Sequence, residues 1–289
     1  MSFKRFLSSF WLKIIAMSCM FLDHLGLMLG TYYLPPEDPI YMTLRIIGRI
    51  ALPLFCFMIA EGVIHTRHFG KYALRLGIMA AFVTTALIVI KNALPEFEQV
   101  AYYGNIFLDL LLGAVAVYCL RQEKWYIKAL SILPLAYGIA SYIVGNVETG
   151  GAIVHWFPYF LRTQYGWYGI AMIIGFNGCY LFKDVFLSMH ASNIGVDKDV
   201  LVGTDLERSA LNLLALFNVI IMTSLYCVLP LFIETGILSV QWFAIVPGLL
   251  LLLYNGKRGY NAKWFEYGGY IFYPLHLGIL ALVFYLITL

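Results

Sequence analysis

Charge is scarce in this sequence. Only 12% of its 289 residues are Asp, Glu, Lys or Arg, while 62% are hydrophobic; a soluble domain averages about 25% charged residues and about half apolar. Such a chain cannot coat itself with polar groups, so its solvent is lipid. The formal net charge is +3, too small for a nucleic-acid partner, which needs a strongly basic face. The five cysteines (Cys19, Cys56, Cys119, Cys179, Cys227) lie in separate apolar stretches. With no CxxC or Cys/His ligand spacing, they read as packing residues, not as a metal site or disulfide framework. No nucleotide-cradling glycine motif, GxSxG elbow or HExxH occurs. No internal repeat is visible, which weighs against a transporter built from inverted repeats.

What is present is a succession of long apolar runs. Nine stretches could cross a bilayer, which takes about 20 residues each: 12–34, 44–65, 72–91, 101–120, 127–146, 166–187, 210–233, 237–254 and 267–288. The shortest, 237–254, contains Pro247. The N-terminus, MSFKRFLSSFWLK, has the order of a signal peptide. Its apolar run is too long, holds Asp23 and His24, and lacks a small-residue cleavage site, so it reads as a retained first helix. Pro35–Pro36, Pro95, Gly150–Gly151 and Asn255–Gly256 mark connections. Tyr32, Tyr33, Trp125, Tyr126, Trp156 and Trp264 suit the membrane interfaces.

The basic residues give an orientation. With the N-terminus inside, inner segments hold fifteen of the nineteen Lys and Arg: Lys4, Arg5, Lys13; Arg67, Lys71, Arg75; Arg121, Lys124, Lys128; Lys183, Lys198, Arg208; Lys257, Arg258, Lys263. Outer segments hold only Lys91 and Arg162. The excess follows the positive-inside rule. The expectation is an all-α, polytopic transmembrane bundle of about nine spans, one domain over 1–289, N-terminus cytoplasmic and C-terminus outside. A polar cytoplasmic loop is expected at about 188–209.

Ionisable residues inside such spans are costly and mark function by default. Asp23 and His24 fall near the middle of the first span. Adjacent helical positions diverge by about 100°, so the two need not touch each other. A buried histidine can serve as general base, and a carboxylate can fix its tautomer. Arg45 and Arg49 are four residues apart on one helix face and require an anion, either Asp23 or a ligand phosphate or carboxylate. Arg45 also has the bland reading of snorkelling to the interface. Pro53 should bend this second span beside them. Glu61 lies at its inner end. Asn105 and Asp109 share a face of the fourth span, and Asp109 is a candidate partner for Arg49 or His24. His276, beside Tyr273 and Pro274, is the other histidine near mid-membrane. Asn177, Asn212 and Asn218 read as helix–helix glue.

The segments LKIIAMSCMFLDHLG, LRIIGRIALPLFCFMIAEGVIHTRHFGKYALRL, NIFLD, YGWYG and YIFYPLHL, in that order, resemble the TraX family, whose namesake N-acetylates F-pilin. The Asp-His-x-Gly block and the Arg-x-x-x-Arg…Pro…Glu-Gly…Thr-Arg block are the most specific parts. The resemblance implies a bacterial inner-membrane acetyl- or acyltransferase that takes its acyl group from cytoplasmic acetyl-CoA or another acyl-CoA, and no metal. It would deliver the group to an amine or hydroxyl at the outer side, on a pilin-like peptide, a lipoprotein or an envelope glycan. On that resemblance Asp23 and His24 become the catalytic pair. Arg45, Arg49, Glu61, Asn105, Asp109, Tyr273 and His276 are then candidates for substrate or cofactor binding. Membrane lipids are the expected surroundings, and homo-oligomerisation stays open. The residues alone leave a second reading, a proton- or ion-coupled transporter using Asp23, Arg49 and Asp109.

Overall fold

The computed structural model describes residues 4–93, 104–149, 154, 156–228 and 240–288. Among them the chain is helical: α1 (Ser9–Tyr32), α2 (Pro39–Gly48), α3 (Ala51–His65), α4 (Phe69–Ala93), α5 (Ile106–Leu120), α6 (Trp125–Ala129), α7 (Ile132–Thr149), α8 (Trp167–Ile194), α9 (Asp205–Val228), α10 (Val246–Leu252) and α11 (Lys263–Thr288). No strand forms among the described residues, only isolated bridges at Leu7–Tyr254 and Asn105–Thr163.

All nine expected stretches contain helix, and among the described residues seven are long and apolar enough to cross a membrane: Ser9–Tyr32, Pro39–His65, Phe69–Asn92, Trp125–Glu148, Trp167–Ile194, Asp205–Val228 and Lys263–Ile287. The protein is a multi-pass membrane protein. The fourth and eighth stretches are shorter. Ile106–Leu120 has 15 residues, a rise of about 22 Å against a hydrocarbon core of about 30 Å. The eighth is a 3-10 segment, Val240–Ile245, running into α10. Pro247 stands in the first turn of α10, where it costs no hydrogen bond. Residues 101–103, 229–233 and 237–239 of the expected stretches lie outside the described residues.

Two spans are broken, each four residues before a proline. Pro53 offers no N–H to the Arg49 carbonyl, and its ring would strike that carbonyl in a regular helix. The second span accordingly parts at Arg49–Ile50 into α2 and α3. Pro134 stands in the same relation to Leu130, and α6 and α7 part there. Exposed apolar side chains line the outer faces. Leu74, Ile78 and Phe82 repeat every four residues along α4 and present a stripe to lipid.

The polar stretch 188–209 is more ordered than the expected loop. Helix α8 runs on to Ile194, a 3-10 turn covers Lys198–Leu201, and α9 begins at Asp205. Leu187 and Ala191 bury against Leu201 and Leu206, which gives this end a small core. Glu207 then ties it down: Lys183 Nζ lies 2.6 Å from Oε1, and the Gly203 N–H donates to Oε2 at 2.6 Å.

The chain divides into two compact units, Met1–Met58 with Gly178–Leu289, and Ile59–Asn177. In the first, α1 packs on α2 and α11, while α9 packs on α10 and on the 3-10 segment Val240–Ile245, which also meets α2. Asn212, expected as helix–helix glue, donates to the Tyr254 carbonyl, just past the end of α10, at 2.8 Å. In the second, α5 packs on α4, α6 and α7.

Glycines bring α1 and α2 together. A Cβ on Gly26 would strike Leu44, one on Gly30 would strike the Tyr41 ring, and one on Gly48 would strike the Asp23 carboxylate. The pairs 23–48, 26–44 and 30–41 run in opposite directions, so the helices are antiparallel and nearly in backbone contact. Small residues permit this approach in a membrane, where it replaces the missing hydrophobic drive. Gly48→Ala should therefore cost about 1–3 kcal/mol through overpacking and displace Asp23. A thermal unfolding midpoint equal to wild type would refute the close approach.

Candidate active site

Asp23 and His24 point to different neighbours, as their 100° divergence requires. Asp23 faces α2. Its Oδ1 accepts from Arg49 Nη2 at 2.6 Å and pairs with Arg45 Nη1 at 2.9 Å. Arg45 Nη1 also reaches the Asp23 carbonyl at 3.4 Å. Arg49 is fixed further: Nη1 donates to Gln241 Oε1 at 3.3 Å, and Nε donates to the Arg45 carbonyl at 3.1 Å. That last bond follows from the break at Pro53. The Arg49 N–H turns to the Ile46 carbonyl, 3.1 Å away. The Arg45 carbonyl, its usual acceptor, takes the guanidinium instead.

His24 faces α11. Its Nδ1 lies 2.7 Å from His276 Nε2, and the rings stack at 4.9 Å. His276 Nδ1 lies 2.7 Å from the Phe272 carbonyl, one helical turn back. These contacts fix the protons. A carbonyl only accepts, so His276 Nδ1 carries hydrogen and donates to it. Neutral His276 then has a bare Nε2, which must accept, so His24 Nδ1 is the donor. The lone pair of neutral His24 is left on Nε2, which makes no hydrogen bond among the described residues. Phe272 stacks on His276 at 4.8 Å, and Tyr273 stands edge-on to His24 at 5.8 Å. His24 and His276 are 7% and 3% exposed. The pair is thus a directional chain, with the base end at His24 and the terminus at a backbone carbonyl.

Glu61, Asn105 and Asp109 belong to the second unit. Glu61 lies in the last turn of α3, where its carbonyl sits 2.9 Å from His65 Nδ1. Asn105 is the N-cap of α5: Oδ1 accepts from the Phe107 N–H at 3.0 Å, and Nδ2 donates to the Ala80 carbonyl at 2.7 Å and to Thr84 Oγ1 at 3.0 Å. Asp109, fully buried, accepts the Gln164 and Tyr165 N–H groups at 2.7 and 3.2 Å. The Asn105 side chain thus caps α5 and ties it to α4, while Asp109 holds the turn that opens α8. The partner expected for Asp109, Arg49 or His24, is not what its oxygens engage.

Gln241 and Gly48 were not among the expected site residues. Gln241 is a lone amide in a short apolar stretch. Gly48 carries no chemistry, yet its missing Cβ makes room for Asp23. The i, i+4 glycines Gly26 and Gly30 were the available signal for this packing. Among the described residues no group of three or more His, Cys, Asp or Glu is placed to hold a metal ion.

The TraX protein family matches residues 8–195, which include α1, the broken second span and all of their named charges. The chain belongs to the TraX family. Among curated relatives, a probable fimbrial assembly protein FimC, serogroup H1, of Dichelobacter nodosus is 33% identical over 114 residues, covering 38% of this chain and 45% of that protein. An uncharacterized protein of Rickettsia prowazekii (strain Madrid E) is 26% identical over 287 residues, 94% of this chain and 90% of its own length. The alignment with the first relative thus spans under half of that protein. No solved structure matches. The family match ends at residue 195, so α11 with His276 lies beyond it, and within this TraX chain the His24–His276 contact joins the matched region to the C-terminal helix.

Proposed function

We propose that this TraX-family protein is a membrane-embedded acyltransferase that moves an acetyl or related acyl group from a cytoplasmic acyl-CoA to an amine or hydroxyl. The observation that carries the reading is the His24–His276–Phe272 chain, which leaves the His24 Nε2 lone pair as a base in a buried, oriented imidazole. As the acceptor nitrogen or oxygen attacks the thioester carbonyl, His24 Nε2 takes its proton. The new N–C or O–C bond forms and the C–S bond breaks. The imidazolium returns its proton to the departing thiolate, so the acylated acceptor and free coenzyme A balance the reaction. His276, accepting from Nδ1, stabilises the imidazolium during the step. Of the two roles expected of Asp23 it takes the ion-pair one: it holds Arg45 and Arg49, and positions α2 rather than the imidazole.

The chemistry of one end of the first unit suits a phosphate-bearing donor. Lys4, Arg5, Lys13, Lys257, Arg258 and Lys263 flank the starts of α1 and α11. Backbone hydrogen bonds join Leu7, Ser9 and Phe10 to Leu253, Lys257 and Arg258 at about the usual 3 Å. Lys13 Nζ lies over the Phe265 ring at 4.8 Å. From Lys13 to His24 is about 16 Å along the helix, the scale of an extended phosphopantetheine arm. The fimbrial name of one relative favours a pilus-type peptide as acceptor.

Purified protein in nanodiscs, given acetyl-CoA labelled in its acetyl group and an envelope fraction, should label an acceptor that mass spectrometry then identifies. A pH-driven ion flux in proteoliposomes, with no acyl transfer, would replace this reading by the transporter.

A further inference from the structure

Two arginines and one carboxylate leave a buried cluster with a charge of +1, and the imbalance falls on one atom set. Arg49 directs Nε, Nη1 and Nη2 to the Arg45 carbonyl, Gln241 and Asp23. Arg45 uses Nη1 alone, for Asp23 Oδ1 and the Asp23 carbonyl. Its Nε and Nη2 reach no partner among the described residues, and its side chain keeps 20% exposure against 9% for Arg49. Snorkelling does not describe this side chain, because Asp23 draws its guanidinium toward the middle of α1. The site of a Cβ on Gly26 is 3.6 Å from Arg45 Cδ. The Arg45 side chain therefore comes in from the side of the α1–α2 turn, with its Cδ level with Gly26 and its Nη1 at Asp23. The basic starts of α1 and α11 lie at the opposite end.

We propose that the Nε–Nη2 edge of Arg45 binds an oxyanion, carboxylate or phosphate, carried by the acceptor, so that the acceptor substrate is an anionic molecule approaching from the α1–α2 turn. This rests on the transfer reading above for the word acceptor, not for the binding. The Nε–Nη2 edge presents two parallel N–H donors, the fork that pairs with two oxygens of one anion. An anion there neutralises a charge that is otherwise costly within a bilayer. It also holds the acceptor a fixed distance from His24, so that only a molecule with a negative group near its amine or hydroxyl is aligned for proton removal.

Phenylglyoxal, an arginine-selective reagent, tests the site in protein purified in an uncharged maltoside detergent, with inorganic phosphate and succinate as separate probes. Mass spectrometry should find Arg45 labelled faster than Arg49 and protected by at least one probe. Protection by phosphate assigns a phosphorylated acceptor such as a lipid or glycan headgroup; protection by succinate alone assigns a carboxylate-bearing peptide. No protection by either, or protection by coenzyme A alone, overturns the proposal. With the acceptor in hand, Arg45→Gln should raise the acceptor KM about tenfold or more, the loss of a charge-assisted hydrogen bond. The acyl-CoA KM should stay as it was, and an equal rise in it overturns the proposal. Arg45→Lys, which keeps the charge without the fork, should fall between and shows that the fold survives. The labelling needs no turnover, so a protein that shows probe protection but never transfers an acyl group keeps the anion site and loses only the transfer reading.

Discussion

His24→Ala protein is expected to transfer acyl groups about 100- to 10,000-fold more slowly than wild type, the usual contribution of a positioned general base. His276 is obliged to donate at Nδ1 and accept at Nε2, which forces the single proton of neutral His24 onto Nδ1, the nitrogen that faces His276, and leaves Nε2 bare. Removing His24 removes the one ring lone pair that the His24–His276 pair leaves unused among the described residues. His276 substitutions separate orientation from chemistry. His276→Gln keeps an oxygen able to accept from His24 Nδ1, whereas His276→Phe keeps the ring and loses the acceptor, so the glutamine variant should retain more transfer. Initial rates with labelled acetyl-CoA measure both, alongside thermal midpoints to confirm folding. Full transfer by His24→Ala would remove histidine from the mechanism.

Asp23→Ala carries the largest expected loss of stability, about 3–5 kcal/mol, because it strands two guanidinium groups that are mostly buried. Asp23 is 8% exposed and Arg49 is 9% exposed, so water cannot replace the carboxylate. The variant should accumulate poorly in membranes and melt well below wild type. A triple variant, Asp23→Leu with Arg45→Leu and Arg49→Met, should recover much of that stability, since removing a whole buried ion cluster is often neutral. It should still be inactive. Thermal unfolding in nanodiscs distinguishes these outcomes, and an Asp23→Ala midpoint within error of wild type would show that the cluster is not what joins α1 to α2.

Much of this was readable from the residues. Apolar run length is a local property, so the spans were found. A proline acts on the carbonyl four residues back, so the break at Arg49 was foreseeable from Pro53. Charge demands a partner, so Asp23 with Arg45 and Arg49 could be paired on paper. What escaped was partner choice over long separations. His24 and His276 are 252 positions apart, and nothing local says that a histidine takes another histidine while its neighbouring carboxylate takes the arginines. Asp109 looked like a buried charge in want of a cation, but backbone N–H groups from a turn 55 residues away satisfy it. The ordered end of α8 was hidden by its polar composition, because a core as small as Leu187, Ala191, Leu201 and Leu206 leaves little apolar signal.

The break in the second span has a bearing on how the protein is made. Helix α2 is ten residues long and carries Arg45, with Arg49 as its C-cap, each disfavoured at a membrane centre by roughly 2.5–3.5 kcal/mol during insertion. Alone, that half-helix has too few apolar residues to offset two such charges. Its carboxylate is on α1, six residues separate the two helices, and the glycines let them lie in contact. The insertion machinery is therefore expected to receive α1 and α2 as one hairpin with its ion pairs closed, and ribosome-bound chains cut off just before Arg45 should integrate by a different route from those that include Arg49.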